Sequence, residues 1–140
     1  MAEGLRIEIV SPERLVLSET VASVTVPGTE GYFTVMHDHA PFMTTLRPGF
    51  ITVSRDGGAE VYFVRGGFAD VSGEGLTILA EQSVPFTEFD HGDLQAQIRA
   101  AEEELNRAQT PEDRSYAQEV VSALLNLAIE AQHIDGAHVH

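Results

Sequence analysis

The chain has no cysteine and no lysine. Without cysteine there is no disulfide framework, no thiolate nucleophile and no thiolate zinc site, and a reducing compartment is permitted. Without lysine the basic complement is eight arginines against 22 acidic residues, a formal net charge of −14. A surface so negative repels phosphate backbones and anionic headgroups, whose binding depends on Lys and Arg neutralising phosphate. No nucleic-acid partner is expected. Also missing is any apolar run near the roughly 18 residues that span a bilayer. The start Met1-Ala2-Glu3-Gly4-Leu5-Arg6 places no positive leader before an apolar stretch. The expectation is a soluble, non-exported protein without direct membrane insertion, which meets a membrane only through a partner.

What is present suits one small domain with an appendage: 140 residues, 43% hydrophobic and 21% charged. From Leu5 to about Thr87 short alternating runs are separated by Gly, Pro, Ser and Asp, the period-two pattern of half-buried strands. Leu5, Ile7 and Ile9 share one face and Ser11-Pro12-Glu13 breaks the run; Leu15 and Leu17 share the next. Ala22, Val24 and Val26 point inward until Pro27-Gly28 stops the strand. Further runs are Tyr32–Met36, Phe50–Arg55, Ala59–Arg65, Phe68–Val71 and Leu76–Ala80. Asp56-Gly57-Gly58 and Ser72-Gly73-Glu74-Gly75 are hairpin signals, because glycine reaches the positive φ that tight turns require. Many short strands with glycine turns predict a β-sandwich or barrel.

After Phe89 the apolar spacing lengthens to three and four. Asp90 is a suitable N-cap with Asp93 three residues on, followed by the stripe Leu94, Ile98, Ala101, Leu105 and Ala108. Thr110-Pro111-Glu112-Asp113 restarts a helix with a cap, a proline at the first helical position and two carboxylates at the positive end of the dipole. Tyr116, Val120, Leu124, Leu127, Ala131 and Ile134 form its stripe, flanked by Ala117, Val121 and Ala128, and Gly136 offers a stop. The short link predicts an antiparallel pair. The boundary falls within Phe86–Asp90, dividing the chain into a β-sandwich over residues 1–88 and a helical hairpin with a short tail over 89–140. Residues 1–89 and 90–140 each carry a net charge of −7.

Candidate chemistry is sparse. Gly31, then His37, Asp38 and His39, reproduce the first part of the cupin metal motif. Met43 and Thr44 then stand where its carboxylate ligand belongs, and the next histidine is His91. His133, His138 and His140 fall at the end of the second helix and in the tail. There is no Gly-x-Ser-x-Gly elbow, no Gly-x-Gly-x-x-Gly and no P-loop. The residues select no catalytic set, no metal and no cofactor. A small cupin-like metal-binding β-barrel is the alternative that His37 and His39 leave open.

Several ordered segments resemble the epsilon-subunit family of F-type rotary ATP synthases. Val10-Ser11-Pro12-Glu13-Arg14 is similar to the family's opening, and Val26-Pro27-Gly28-Thr29-Glu30-Gly31 to its Gly-x-x-Gly loop. His39-Ala40-Pro41 with Leu46-Arg47-Pro48-Gly49 resembles its most specific segment. Val64–Val71 and Leu76–Glu81 resemble its later strands, and Phe89-Asp90 falls where its hairpin begins. The resemblance implies a ten-stranded β-sandwich followed by two antiparallel helices. It further implies a non-catalytic central-stalk subunit that binds the gamma subunit, sits against the polar loops of the c-ring and passes torque between proton flow and the catalytic head. The implied location is peripheral, on the cytoplasmic face of the inner (plasma) membrane. By motif position, the resemblance implies a c-ring contact in the loop from Thr29 to His39, with Thr29, Glu30, Gly31, His37, Asp38 and His39, and a gamma contact at Pro41 and Met43.

The hairpin departs from members that bind ATP through an Ile/Leu-Asp-x-x-Arg-Ala motif. Here Phe89-Asp90-His91-Gly92-Asp93-Leu94 puts Asp93 in the place of the arginine, and from Ser115 onward there is no basic residue. No nucleotide binding, or binding weaker than millimolar, is expected. In relatives that block hydrolysis, basic residues of the hairpin meet an acidic segment of the catalytic head. A hairpin of net charge −7 meets like charge there, so it is expected to stay folded against the sandwich and inhibit weakly.

Overall fold

A computed structural model describes residues 4–139, with side chains through Gly136. His140 and the His138 side chain therefore lie outside the described residues. Ten strands come first: β1 (Leu5–Val10), β2 (Leu15–Val21), β3 (Ser23–Gly28), β4 (Gly31–Met36), β5 (Phe42–Thr45), β6 (Gly49–Arg55), β7 (Gly58–Arg65), β8 (Phe68–Ser72), β9 (Gly75–Leu79) and β10 (Gln82–Pro85). A single 3-10 turn (Phe86–Glu88) precedes α1 (His91–Arg107) and α2 (Pro111–Val139). The strands form two five-stranded sheets, ordered β2-β1-β9-β8-β5 and β10-β7-β6-β3-β4. All pairings are antiparallel except β1 with β9, which sets Ile7 opposite Leu76 and Ile9 opposite Ile78. The core is the alternating inward set, including Ile7, Ile9, Val24, Val26, Val35, Ile51, Val53, Val64, Leu76 and Ile78. The chain is thus mainly β, a ten-stranded sandwich followed by two helices.

Three local expectations are corrected. Ala22 is exposed at a corner where β2 ends and β3 begins, its N–H donating to the Ser54 carbonyl at 2.9 Å. β3 does not stop at Val26 but runs through Pro27 and ends at Gly28. Pairing with β6 covers only Ser23, Val24 and Thr25, so Pro27 lies where its missing N–H removes no ladder bond. Leu15 does not share a face with Leu17: a register shift sets Leu17 opposite Ile9 but Leu15 opposite Val10, leaving Leu15 59% exposed. The four-residue strands β5 and β10 are too short to show a period of their own.

By contacts the chain divides into two compact units, between Phe89 and Asp90. In the second, the Asp90 carboxylate accepts from the Asp93 N–H at 2.9 Å and the Thr110 hydroxyl from the Asp113 N–H at 3.1 Å, the two caps that start the helices. At 1.5 Å per residue α1 is about 25 Å long and α2 about 43 Å. The helices contact each other. Leu94, Ile98 and Ala101 of α1 are buried, and so are Ala117, Val121, Leu127 and Ala131 of α2. Tyr116, expected on the seam, is 70% exposed, and Ala117 and Val121 take the positions assigned to it. Both rows have helical spacing, and the smaller residues permit closer approach. Gly136 does not end α2. Its φ is not positive, so it does not form the left-handed cap that would end the helix there.

Candidate functional site

The candidate residues gather where both sheets end in an unpaired edge, β4 in one and β5 in the other. The edge strands are uncharged, GYFTVM and FMTT, so they lack the charges that commonly protect a sheet edge. Phe33 packs toward the core and meets Phe42 edge-to-face at 5.5 Å, closing the gap between the sheets. The turn before β4 is tied to β5 through Thr29, whose hydroxyl lies 2.5 Å from the Thr45 hydroxyl and donates to the Thr45 carbonyl at 3.1 Å.

The segment Thr29–His39 is not one loop. Thr29 and Glu30 form the β3–β4 turn, Gly31–Met36 is β4, and His37 and Asp38 form the turn at its other end, about 20 Å away at strand rise. The chain then doubles back. His39 lines a cleft of about 280 Å³ together with Thr29, Glu30, Gly31, Phe33 and Phe42. His37, Asp38, His39 and Pro41 line a second cleft of about 330 Å³, whose other wall is the β8–β9 turn. Asp38 holds a left-handed φ of 70°, with its carboxylate 3.2 Å from His37 Nε2, and His39 Nδ1 lies 2.8 Å from the Ala40 carbonyl oxygen. Among the described residues no group of three His, Asp or Glu is arranged to hold a metal ion.

Met43 lies outside both clefts. It sits opposite Asp70 on the outward face of the first sheet and is 60% exposed. The same face carries an unforeseen feature. Thr45, Phe68, Leu79, Val10 and Leu15 lie opposite one another in successive strands, a band crossing all five. Phe68 is 39% exposed and Leu79 41%. The signal was present as apolar residues on the polar phase of the alternation, and only strand pairing aligns them.

At the head of α1, Asp90 is engaged as the cap and the Asp93 carboxylate accepts from the Gln97 side-chain amide at 2.6 Å. Two acids thus occupy the positive end of the helix, where an anionic ligand would otherwise be favoured.

The family model for the beta-sandwich domain of the ATP synthase delta/epsilon chain matches residues 4–86. The ATP synthase epsilon chain of Mesorhizobium japonicum is 48% identical over 128 residues, covering 91% of this chain and 95% of that protein. That of Rhizobium etli is 46% identical with the same coverage. Among solved structures, a chain of the Euglena gracilis mitochondrial ATP synthase assembly of OSCP, F1 and c-ring has the same fold. Its TM-score is 0.70 at 23% identity, covering 100% of this chain and 84% of that one.

Proposed function

The chain belongs to the ATP synthase delta/epsilon-chain family, and from that premise we propose that it couples rotation of the c-ring to ATP synthesis by gripping the gamma subunit. It is a non-catalytic subunit of the central stalk. The observation that carries the docking reading is the outward band Leu15, Val10, Leu79 and Phe68, because apolar side chains aligned across adjacent strands on an outward face form a contiguous surface suited to a protein partner. Met43 lies one strand row from it and, with Pro41, makes the gamma contact. Thr29, Glu30 and Gly31 at one end of β4, with His37, Asp38 and His39 at the other, make the c-ring contact, so β4 runs along the ring's polar loops. Residues 1–88 are the docking part. The protein is peripheral to the cytoplasmic face of the inner membrane; no described helix is long and apolar enough to cross it.

The hairpin stays folded and inhibits hydrolysis weakly, because its net charge of −7 opposes insertion beside an acidic segment of the head. Two experiments test these parts separately. Immobilised residues 1–89 should retain gamma in a pull-down; failure removes the docking reading. Hydrolysis by the catalytic head with its central stalk should run at equal rates with the full chain and with one ending at Phe89. A severalfold rise on truncation overturns weak inhibition alone.

A further inference from the structure

The outward face of the second sheet carries a different feature. Ile51, Val53, Tyr62 and Val64 of β6 and β7 belong to the core, so Phe50 and Phe63, paired opposite each other, point to the other face. Both are buried. Phe86 and Phe89, from the segment after the last strand, stack on each other at 5.8 Å and 10°. Each meets Phe50 edge-on, at 5.5 and 5.3 Å, and Phe89 also lies 4.9 Å from Phe63. The Phe89 N–H donates to the Phe86 carbonyl at 3.0 Å, and Glu88 pairs with Arg14 at 3.2 Å. One residue later the chain is held again. The Asp90 carboxylate and carbonyl accept from the Asp93 and Leu94 N–H groups, and Gly92 leaves room for that carboxylate, since a Cβ there would approach it to 3.3 Å.

We infer that Phe86 and Phe89 are an aromatic latch that makes residues 86–89 part of the sandwich, so that the two units pivot only at the Phe89–Asp90 junction. Relative motion of two compact units along a chain needs, between them, unrestrained backbone dihedrals. A latch on one side and a helix cap on the other leave them only at this junction, which shortens the linker from about five residues to one. The aromatic contacts exceed simple area burial in their contribution, and the segment opens only when they break.

The test is amide hydrogen exchange and backbone ¹⁵N relaxation on the full chain. The Phe89 amide should be protected, and Phe50→Ala should speed its exchange about tenfold while the amides of β1 and β9 are unchanged. If Phe50→Ala perturbs the whole sandwich, Phe63→Leu, which removes the 4.9 Å ring contact with little change in volume, replaces it and should speed Phe89 exchange severalfold. Relaxation should show residues 86–89 tumbling with the strands and a change beginning at Asp90 or His91. A Phe89 amide exchanging at the free-chain rate, or unaffected by both variants, overturns the latch. A relaxation change beginning before Phe86, or none anywhere, overturns the pivot.

Discussion

Arg55 on β6 and Glu19 on β2 close a two-pronged ion pair between the sheets, Nε to Oε2 at 2.6 Å and Nη2 to Oε1 at 2.7 Å. Glu60 takes the same guanidinium at 3.0 Å. Glu19 lies opposite Ile7, at an inward position where alternation calls for an apolar side chain. The arginine reaching over from the other sheet makes a carboxylate tolerable there.

The hydrogen bonds from Arg55 hold the Glu19 carboxyl below its ordinary value of 4.5. A depressed carboxylate contributes stability above the unfolded value, and that contribution disappears as pH falls through the folded one. Glu19→Gln should therefore cost about 1 kcal/mol at pH 7, since the pair is about one-third exposed. In urea titrations the gap to wild type should narrow as pH falls below the ordinary carboxylate value and close once Glu19 is protonated in the folded state as well. A gap independent of pH would mean that the substitution loses shape complementarity rather than charge.

Two glycines should respond in opposite directions. At Gly67 φ is +92° and a Cβ would collide with the Leu79 carbonyl oxygen, so Gly67→Ala should destabilise the sandwich by more than about 3 kcal/mol. At Gly136 nothing lies within 4 Å and the backbone is helical, so Gly136→Ala should stabilise the hairpin by about 1 kcal/mol. Thermal melts followed by circular dichroism check both.

On α2 burial separates Val121 from Tyr116. Val121→Ala should cost about 2 kcal/mol, whereas Tyr116→Ala should stay within about 0.5 kcal/mol despite removing the larger side chain. Reversed effects in denaturant titrations would place the seam on the row of Tyr116.

If the outward band of the first sheet grips gamma, Phe68→Glu and Leu79→Glu should each weaken gamma binding at least about tenfold by calorimetry. Because both side chains are partly exposed, the melting temperature of the free subunit should change little. Unchanged affinity in both variants would move the interface elsewhere.

Calorimetry of the full chain with ATP should show no binding below about 1 mM, because Asp93 holds the place of a phosphate-binding arginine beside the capping Asp90. Micromolar affinity would overturn that expectation.

The legible features are those written in a few consecutive residues. The strand Leu5–Val10 follows from its alternation, the hairpins after Arg55 and Ser72 from the positive φ that Gly57 and Gly75 reach, and the two helix starts from Asp90 and from Thr110-Pro111. The family resemblance was likewise legible, because its motifs are local and ordered. The candidate site was legible only as a stretch of chain. That β4 divides Thr29 and Glu30 from His37 and Asp38 is settled by the extent of the strand, and that His39 lines one cleft with Thr29 is settled only once the chain has folded back.

By itself the amino-acid sequence determined the strand or helix period of most segments, the two helix starts and the charge each half carries, since these depend on neighbours along the chain. Only the tertiary structure decided the parallel pairing of β1 with β9, the choice of Ala117 and Val121 over Tyr116, the alignment of Leu15, Val10, Leu79 and Phe68, and the meeting of Glu19 with Arg55. Those outcomes depend on which surfaces pack most closely once distant segments meet, and no local pattern records that.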